Sequence, residues 1–175
     1  MELTTVIVLV VLGVALLYAI MLYNQLVSVK HAVSQAWSNI DVLLRQRHDE
    51  LPKLVEACRR YMQHESQTLE RVIAARSAVA SARADEDVKG VGRAESVLRA
   101  GLGQLFALAE NYPELKANES FQHLYERISG LENGIADRRE LYNAAVNINN
   151  VRIEQFPEVL LARLFGFKSA ELLQF

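Results

Sequence analysis

The chain is poor in the residues that staple or punctuate small folds. Its single cysteine, Cys58, excludes an internal disulfide and leaves the compartment unassigned. Three prolines and eight glycines are few for an all-β chain with many turns. Neither charge dominates: 19 lysines and arginines stand against 21 aspartates and glutamates, so no basic field invites nucleic acid. No low-complexity linker and no internal repeat interrupts the 175 residues. Catalytic patterns are missing too. No Glu-x-x-His occurs, which excludes the di-iron motif of helical bundles. The histidines, His31, His48, His64 and His123, are scattered, and the adjacent side chains of His64 and Glu65 diverge on a helix. There is no Gly-x-Ser-x-Gly, and Gly101-Leu102-Gly103 lacks the lysine and strand of a phosphate loop. Cys58 lies on an apolar face, where a thiol is inert. The expectation is a protein that is not an enzyme, with no catalytic residue, cofactor or metal.

What the chain does have is an apolar start. From Leu3 to Leu22 there is no charge, and the polar content is two threonines and one tyrosine. About 20 helical residues at ~1.5 Å each match a hydrocarbon core roughly 30 Å thick. A positively charged n-region and a small-x-small cleavage site are both absent, so the run reads as a retained anchor rather than a signal peptide. Tyr18 and Tyr23 suit the interfacial aromatic belt. Lys30 is the only lysine or arginine in the twenty residues after the run, and it leans the following domain towards the cytoplasm by a thin margin.

Apolar spacing beyond the anchor is helical. Val27, Val33, Trp37, Ile40 and Leu44 form one stripe; Leu51, Leu54, Cys58, Met62, Leu69, Val72 and Val79 form a second. Val91, Leu98, Leu102, Leu105 and Leu108 make a third. The fourth runs through Phe121, Leu124, Ile128, Leu131, Ile135, Tyr142, Val146 and Ile153. Such stripes are coiled-coil-like seams that require partners. Breaks fall at Ala84–Gly92, where acidic caps meet two glycines, at Asn111-Tyr112-Pro113, and at Phe156-Pro157. Asn118 caps the fourth helix. Pro52 is ambiguous. It suits the first turn of a new helix with Asp49 and Glu50 nearby, yet the register also runs on through it, as in one kinked helix. A continuous helix from Asn24 to Arg83 would be ~90 Å long, so a break is favoured. The fold class is therefore all-α: an N-terminal transmembrane helix over residues 1–23, an antiparallel up-and-down four-helix bundle over 24–156, and a short hydrophobic C-terminal segment over 157–175.

Four helices return the chain to the membrane-proximal end. The segment delivered there, from Phe156 to Phe175, has four phenylalanines and five leucines. Phe156, Leu164, Phe165, Phe167 and Phe175 are candidates for contact with lipid or a partner. The alternative is that the segment caps the base of its own bundle. Charges and an amide at core-register positions, Arg47, Glu65, Arg76, Arg138 and Asn149, require partners or solvent. Arg47, Glu65, Arg76 and Arg138 form the candidate buried polar cluster, with Glu65 paired to Arg76 or Arg138. Its structural reading is a device that sets helix register; its functional reading is a site for a ligand or proton.

The order and spacing of several short blocks resemble the bacterial LemA family of single-pass membrane proteins, over essentially the whole chain. The blocks are Tyr23-Asn24-x-Leu26-Val27, Ala36-Trp37-Ser38-x-Ile40-Asp41-Val42, Arg47-x-Asp49 and Pro52-x-Leu54-Val55-Glu56, then Tyr61, His64-Glu65 and Ala75-Arg76. They continue through Glu110-x-Tyr112-Pro113-Glu114-Leu115-Lys116-Ala117-Asn118, Phe121, Leu124, Glu132-x-x-Ile135-Ala136 and Arg138 or Arg139. Tyr142-Asn143, Asn150, Phe156-Pro157 and Phe165-Gly166-Phe167 complete the set. Lys53, Arg60 and Asn149 depart from the asparagine, glycine and tyrosine usual in the family at those places. The resemblance implies an N-terminal anchor and an antiparallel helical bundle in the cytoplasm of a bacterial inner membrane, with no established activity or cofactor. It also implies relatives in membrane-organelle formation and others associated with membrane proteases.

The leading functional reading is a non-catalytic membrane scaffold that works by self-association or by docking membrane-protein partners at the bilayer surface. Its expected contacts are membrane lipid and either further copies of the chain or other membrane proteins. The alternative is a ligand- or peptide-binding sensor that uses the buried polar cluster; an open polar pocket favours it and tight mutual pairing opposes it. A hydrolytic or redox enzyme is the third reading, and it requires a metal that no ligand spacing supports.

Overall fold

The apolar run and the first amphipathic stripe are one helix, α1, which extends from Leu3 to Arg59 in the computed structural model. The structure describes residues 2–175, so Met1, the first residue of the expected anchor, lies outside it. Five helices follow: α2 (Ser66–Ala84), α3 (Val88–Ala109), the single turn α4 (Pro113–Lys116), α5 (Glu119–Glu154) and α6 (Glu158–Phe165). Among the described residues there is no strand, and one helix, α1, is long and apolar enough to cross a membrane. Its apolar side chains stand free of the rest of the protein from Leu3 to Met21, and the first buried residue is Leu22.

The turn favoured at Pro52 does not form. Proline within a helix removes a backbone donor and costs about 3 kcal/mol. Beyond it, however, Leu54, Val55 and Cys58 are buried, and such side chains stabilise by roughly 1.5–3 kcal/mol each. The carbonyl that Pro52 leaves without a helical donor, that of His48, accepts from Arg76 Nε at 2.9 Å. The turn comes instead between Arg60 and Glu65. Nor is α1 too long for its partners. The 36 residues of α5 rise ~54 Å, which covers nearly all of α1 beyond Leu22.

Local signals account for the other ends. Asp87 accepts from the Gly90 amide at 2.8 Å and starts α3. Asn118 accepts from the Phe121 amide at 3.0 Å and starts α5. α1 runs antiparallel to both α2 and α5: Asp41 pairs with Arg83 and the His48 carbonyl with Arg76 between α1 and α2, while Trp37 packs on Tyr142 and Glu50 pairs with Arg127 between α1 and α5. Two apolar clusters result. The distal one joins Leu51, Leu54, Cys58 and Met62 of α1 and its turn to Leu69 and Val72 of α2, Leu98 and Leu105 of α3, and Ile128 of α5. The proximal one joins Ile40, Leu44, Val91, Ile135, Tyr142 and Val146 to Leu173. That last contact settles where the C-terminal segment goes. After α6 the chain turns back over its own helices.

Candidate functional site

Between the two apolar clusters lies one ion network. Arg47 of α1, 1% exposed, donates from its two terminal nitrogens to Glu95 of α3 and Glu132 of α5. Arg99 of α3 reaches the second oxygen of Glu132 at 3.3 Å. Burial opposes the charge on Arg47, but the two carboxylates hold its pKa above the ordinary value, so the guanidinium stays charged. Burial pushes the Glu95 carboxyl up against the pull of Arg47. Arg47 Nε and Glu95 Oε2 have no hydrogen-bond partner among the described residues.

This is not the cluster drawn from the sequence. Arg47 is buried as expected, but Glu65 sits at the N-terminus of α2, half exposed, and makes no ion pair among the described residues. Arg138 points to solvent on α5, and Arg76 serves the His48 carbonyl. The four residues do not meet because the α1–α2 turn lies beyond Pro52, which changes the part of α1 that faces α2. Glu95 was missed, although it occupies a core position of the third stripe, between Val91 and Leu98. Glu132 was visible only as a block residue without a role.

The end of the protein where the apolar run meets the other helices is the second feature. Tyr23, at the end of the apolar run, meets Phe165 and Phe167 edge-on, with ring centroids 4.8 and 5.8 Å apart. Gly166 between them has φ +70°, a left-handed conformation that ends α6 and lets both rings face Tyr23. Such aromatic pairs contribute about 0.5–1.5 kcal/mol each beyond area burial. One side of α6 docks through Glu158, which accepts from Arg152 at 2.9 Å, and through buried Ala162. The other side is bare. Leu160 and Leu164, one turn apart, are 60% and 75% exposed, with Phe165 beside them, and Phe156 in the turn before α6 is 79% exposed.

The remaining candidates of the segment behave differently. Phe167 is half-buried, and Phe175 stacks under Arg139 and Arg99, whose guanidinium carbons lie 4.8 and 5.4 Å from its ring centre. So the 157–175 segment is two things: an apolar foot at the exit of α1, and a non-helical strip that covers the protein's own flank. Asn149 is buried and donates to the Lys168 carbonyl at 3.2 Å. Elsewhere, Cys58 is buried in the distal cluster, and burial pushes its thiol pKa up to about 12. No group of three or more His, Cys, Asp or Glu suited to a metal ion occurs among the described residues.

Comparison with known proteins gives a family and partial relatives. The LemA family model matches residues 36–175. Magnetosome proteins MamQ 2 and MamQ 1 of Paramagnetospirillum magneticum are each 40% identical over 73 residues, 42% of this chain and 27% of theirs. Magnetosome protein MamQ of Magnetospirillum gryphiswaldense is 36% identical over 70 residues, 40% of this chain and 26% of its own length. The chain thus spans about a quarter of the length of these curated relatives.

Proposed function

The chain belongs to the LemA family, and on that premise we propose that it is a non-catalytic scaffold, anchored by the first part of α1 and seated on the bilayer surface. The observation that carries this reading is the bare face of α6 at Leu160, Leu164 and Phe165, with exposed Phe156 in the turn before it, at the level where the apolar run ends. Large apolar side chains gain about 1.5–3 kcal/mol each on leaving water, and an amphipathic helix with such a face lies in the headgroup region. With one spanning helix and one interfacial helix, the antiparallel helices stand at a defined height and orientation. That is what a platform for membrane partners or for further copies requires. Lys30 supports a cytoplasmic position in a bacterial inner membrane. The relatives' naming as magnetosome proteins is consistent with work at a membrane surface. Mutual pairing of Arg47 with Glu95 and Glu132 weighs against the sensor reading, because the buried charges serve one another.

Two measurements test the proposal. A tryptophan at Leu164 in a Trp37→Phe background should be quenched by brominated lipid when the full chain sits in vesicles; absence of quenching removes the interfacial foot. Native mass measurement of the full chain from mild detergent should show more than one copy or a co-purifying membrane protein. A lone monomer counts against the scaffold.

A further inference from the structure

Residues 167–175 have no helix, yet their backbone is held almost as a strand would be. Asn150 of α5 accepts from the Ala170 amide at 2.9 Å and donates to the Ala170 carbonyl at 3.0 Å. Asn143 does the same for Leu173, at 2.8 and 2.9 Å. Each side-chain amide therefore stands in for the neighbouring strand of a sheet. The spacing fits: seven helical residues rise ~10.5 Å, and three extended residues span ~10 Å. The Tyr142 hydroxyl donates to the Glu171 carbonyl at 2.9 Å, and Arg139 to that of Phe175 at 2.6 Å. On the opposite wall, a Cβ at Gly92 would come within 2.3 Å of the Gln174 carbonyl oxygen, so a glycine is what lets α3 approach this backbone. Buried side-chain selection is confined to three places: Ala170 is packed against the proximal cluster, Leu173 is fully buried in it, and Phe175 lies under two guanidinium groups, while at the surface Glu171 pairs with Lys89 of α3 at 2.8 Å. Lys168, Ser169, Glu171, Leu172 and Gln174 are exposed.

We propose that the groove between α5 and α3 is a peptide-binding site for an extended Ala-x-x-Leu-x-Phe segment, filled by the chain's own residues 170–175 and exchanged between two copies in one bilayer. Backbone recognition does not distinguish a copy's own segment from a neighbour's. The anchor holds copies at one height and in one orientation, so the segment of one meets the groove of the next at high effective concentration. The exposed Lys168–Ser169 link is the hinge once the Lys168 carbonyl is released from Asn149. This deepens the scaffold reading by naming its partner as a second copy, and it rests on that reading for the exchange step.

The experiment uses full-length chains in nanodiscs and a fluorescent synthetic peptide of residues 167–175. Leu173→Asp, or a stop after Phe167 as a second way to empty the groove, should raise peptide affinity at least about tenfold over the wild type. Adding Asn143→Leu and Asn150→Leu should remove that gain, since four hydrogen bonds are lost. In a mixture, a tagged Leu173→Asp chain should retain an untagged Asn143→Leu/Asn150→Leu chain, which supplies the missing segment. Failure of the peptide to bind either emptied chain while both keep their helical circular dichroism overturns the site. Binding without retention overturns the exchange. Neither depends on the lipid-quenching result, so the groove and the seated foot fail separately.

Discussion

Arg76 on α2 donates from Nε to the carbonyl of His48 on α1 at 2.9 Å. Four residues along α1 lies Pro52, whose missing amide would otherwise have filled that carbonyl. The arginine thus supplies across the helix pair what the proline withholds along the helix, and α1 continues to Arg59.

This coupling is measurable. Arg76→Ala should destabilise the full chain by about 1–2 kcal/mol, the cost of leaving one carbonyl unpaired. The same change in a Pro52→Ala background should cost less, because the alanine amide restores the helical bond. Thermal melts of the four combinations in detergent give the interaction energy; strict additivity refutes the link.

The ion network gives a second expectation. Arg47→Ala leaves Glu95 buried without its cation and should cost about 3–5 kcal/mol. Arg47→Met together with Glu95→Gln should recover part of that loss. Glu65→Gln, outside the network, should leave the melting temperature unchanged, whereas a drop as large as that of Arg47→Ala would put Glu65 back in the core.

A pH dependence follows from His48. Burial first, then the neighbouring Arg76, hold its pKa below the ordinary 6.5. Its neutral form is therefore favoured on folding, so its contribution is complete above about pH 6.5 and is lost as pH falls through the lower folded value. His48→Gln should flatten the decline in stability as pH falls below about 6.5. An unchanged slope assigns the acid sensitivity elsewhere.

Cys58 offers a probe of the distal cluster. With its thiol at about 12 and no exposed surface, it should react with iodoacetamide at neutral pH only as fast as that cluster opens. Labelling in folded protein as quick as in denaturant would place the thiol outside the core.

How much of this was legible depends on the range of each signal. Asn118 and Pro113 marked helix boundaries because capping and proline geometry act within four residues. The apolar stripes marked core faces, and all of Ile40, Leu51, Val72, Leu98 and Ile135 are buried. Glu95 escaped notice because a charge in a stripe reads as an interruption until its cation is placed. Asn143 and Asn150 stood in the sequence as bare block residues. Their task exists only once residues 167–175 return to α5, and neither composition nor period encodes that return.

Hydropathy, periodicity and caps are properties of neighbouring residues, and they are enough to specify an all-helical chain with one apolar run of membrane-spanning length. Contacts between distant parts of the chain carry α1 past Pro52, share Arg47 between Glu95 and Glu132, and divide the last segment into a bare foot and a strip bound to α5. Each of those outcomes turns on a donor, a charge or a groove brought from elsewhere in the chain. The contacts span 28 residues for Arg76 and His48, 48 for Arg47 and Glu95, and 30 for Asn143 and Leu173. Local preference leaves such choices open, and the burial and pairing gained when distant helices meet resolve them.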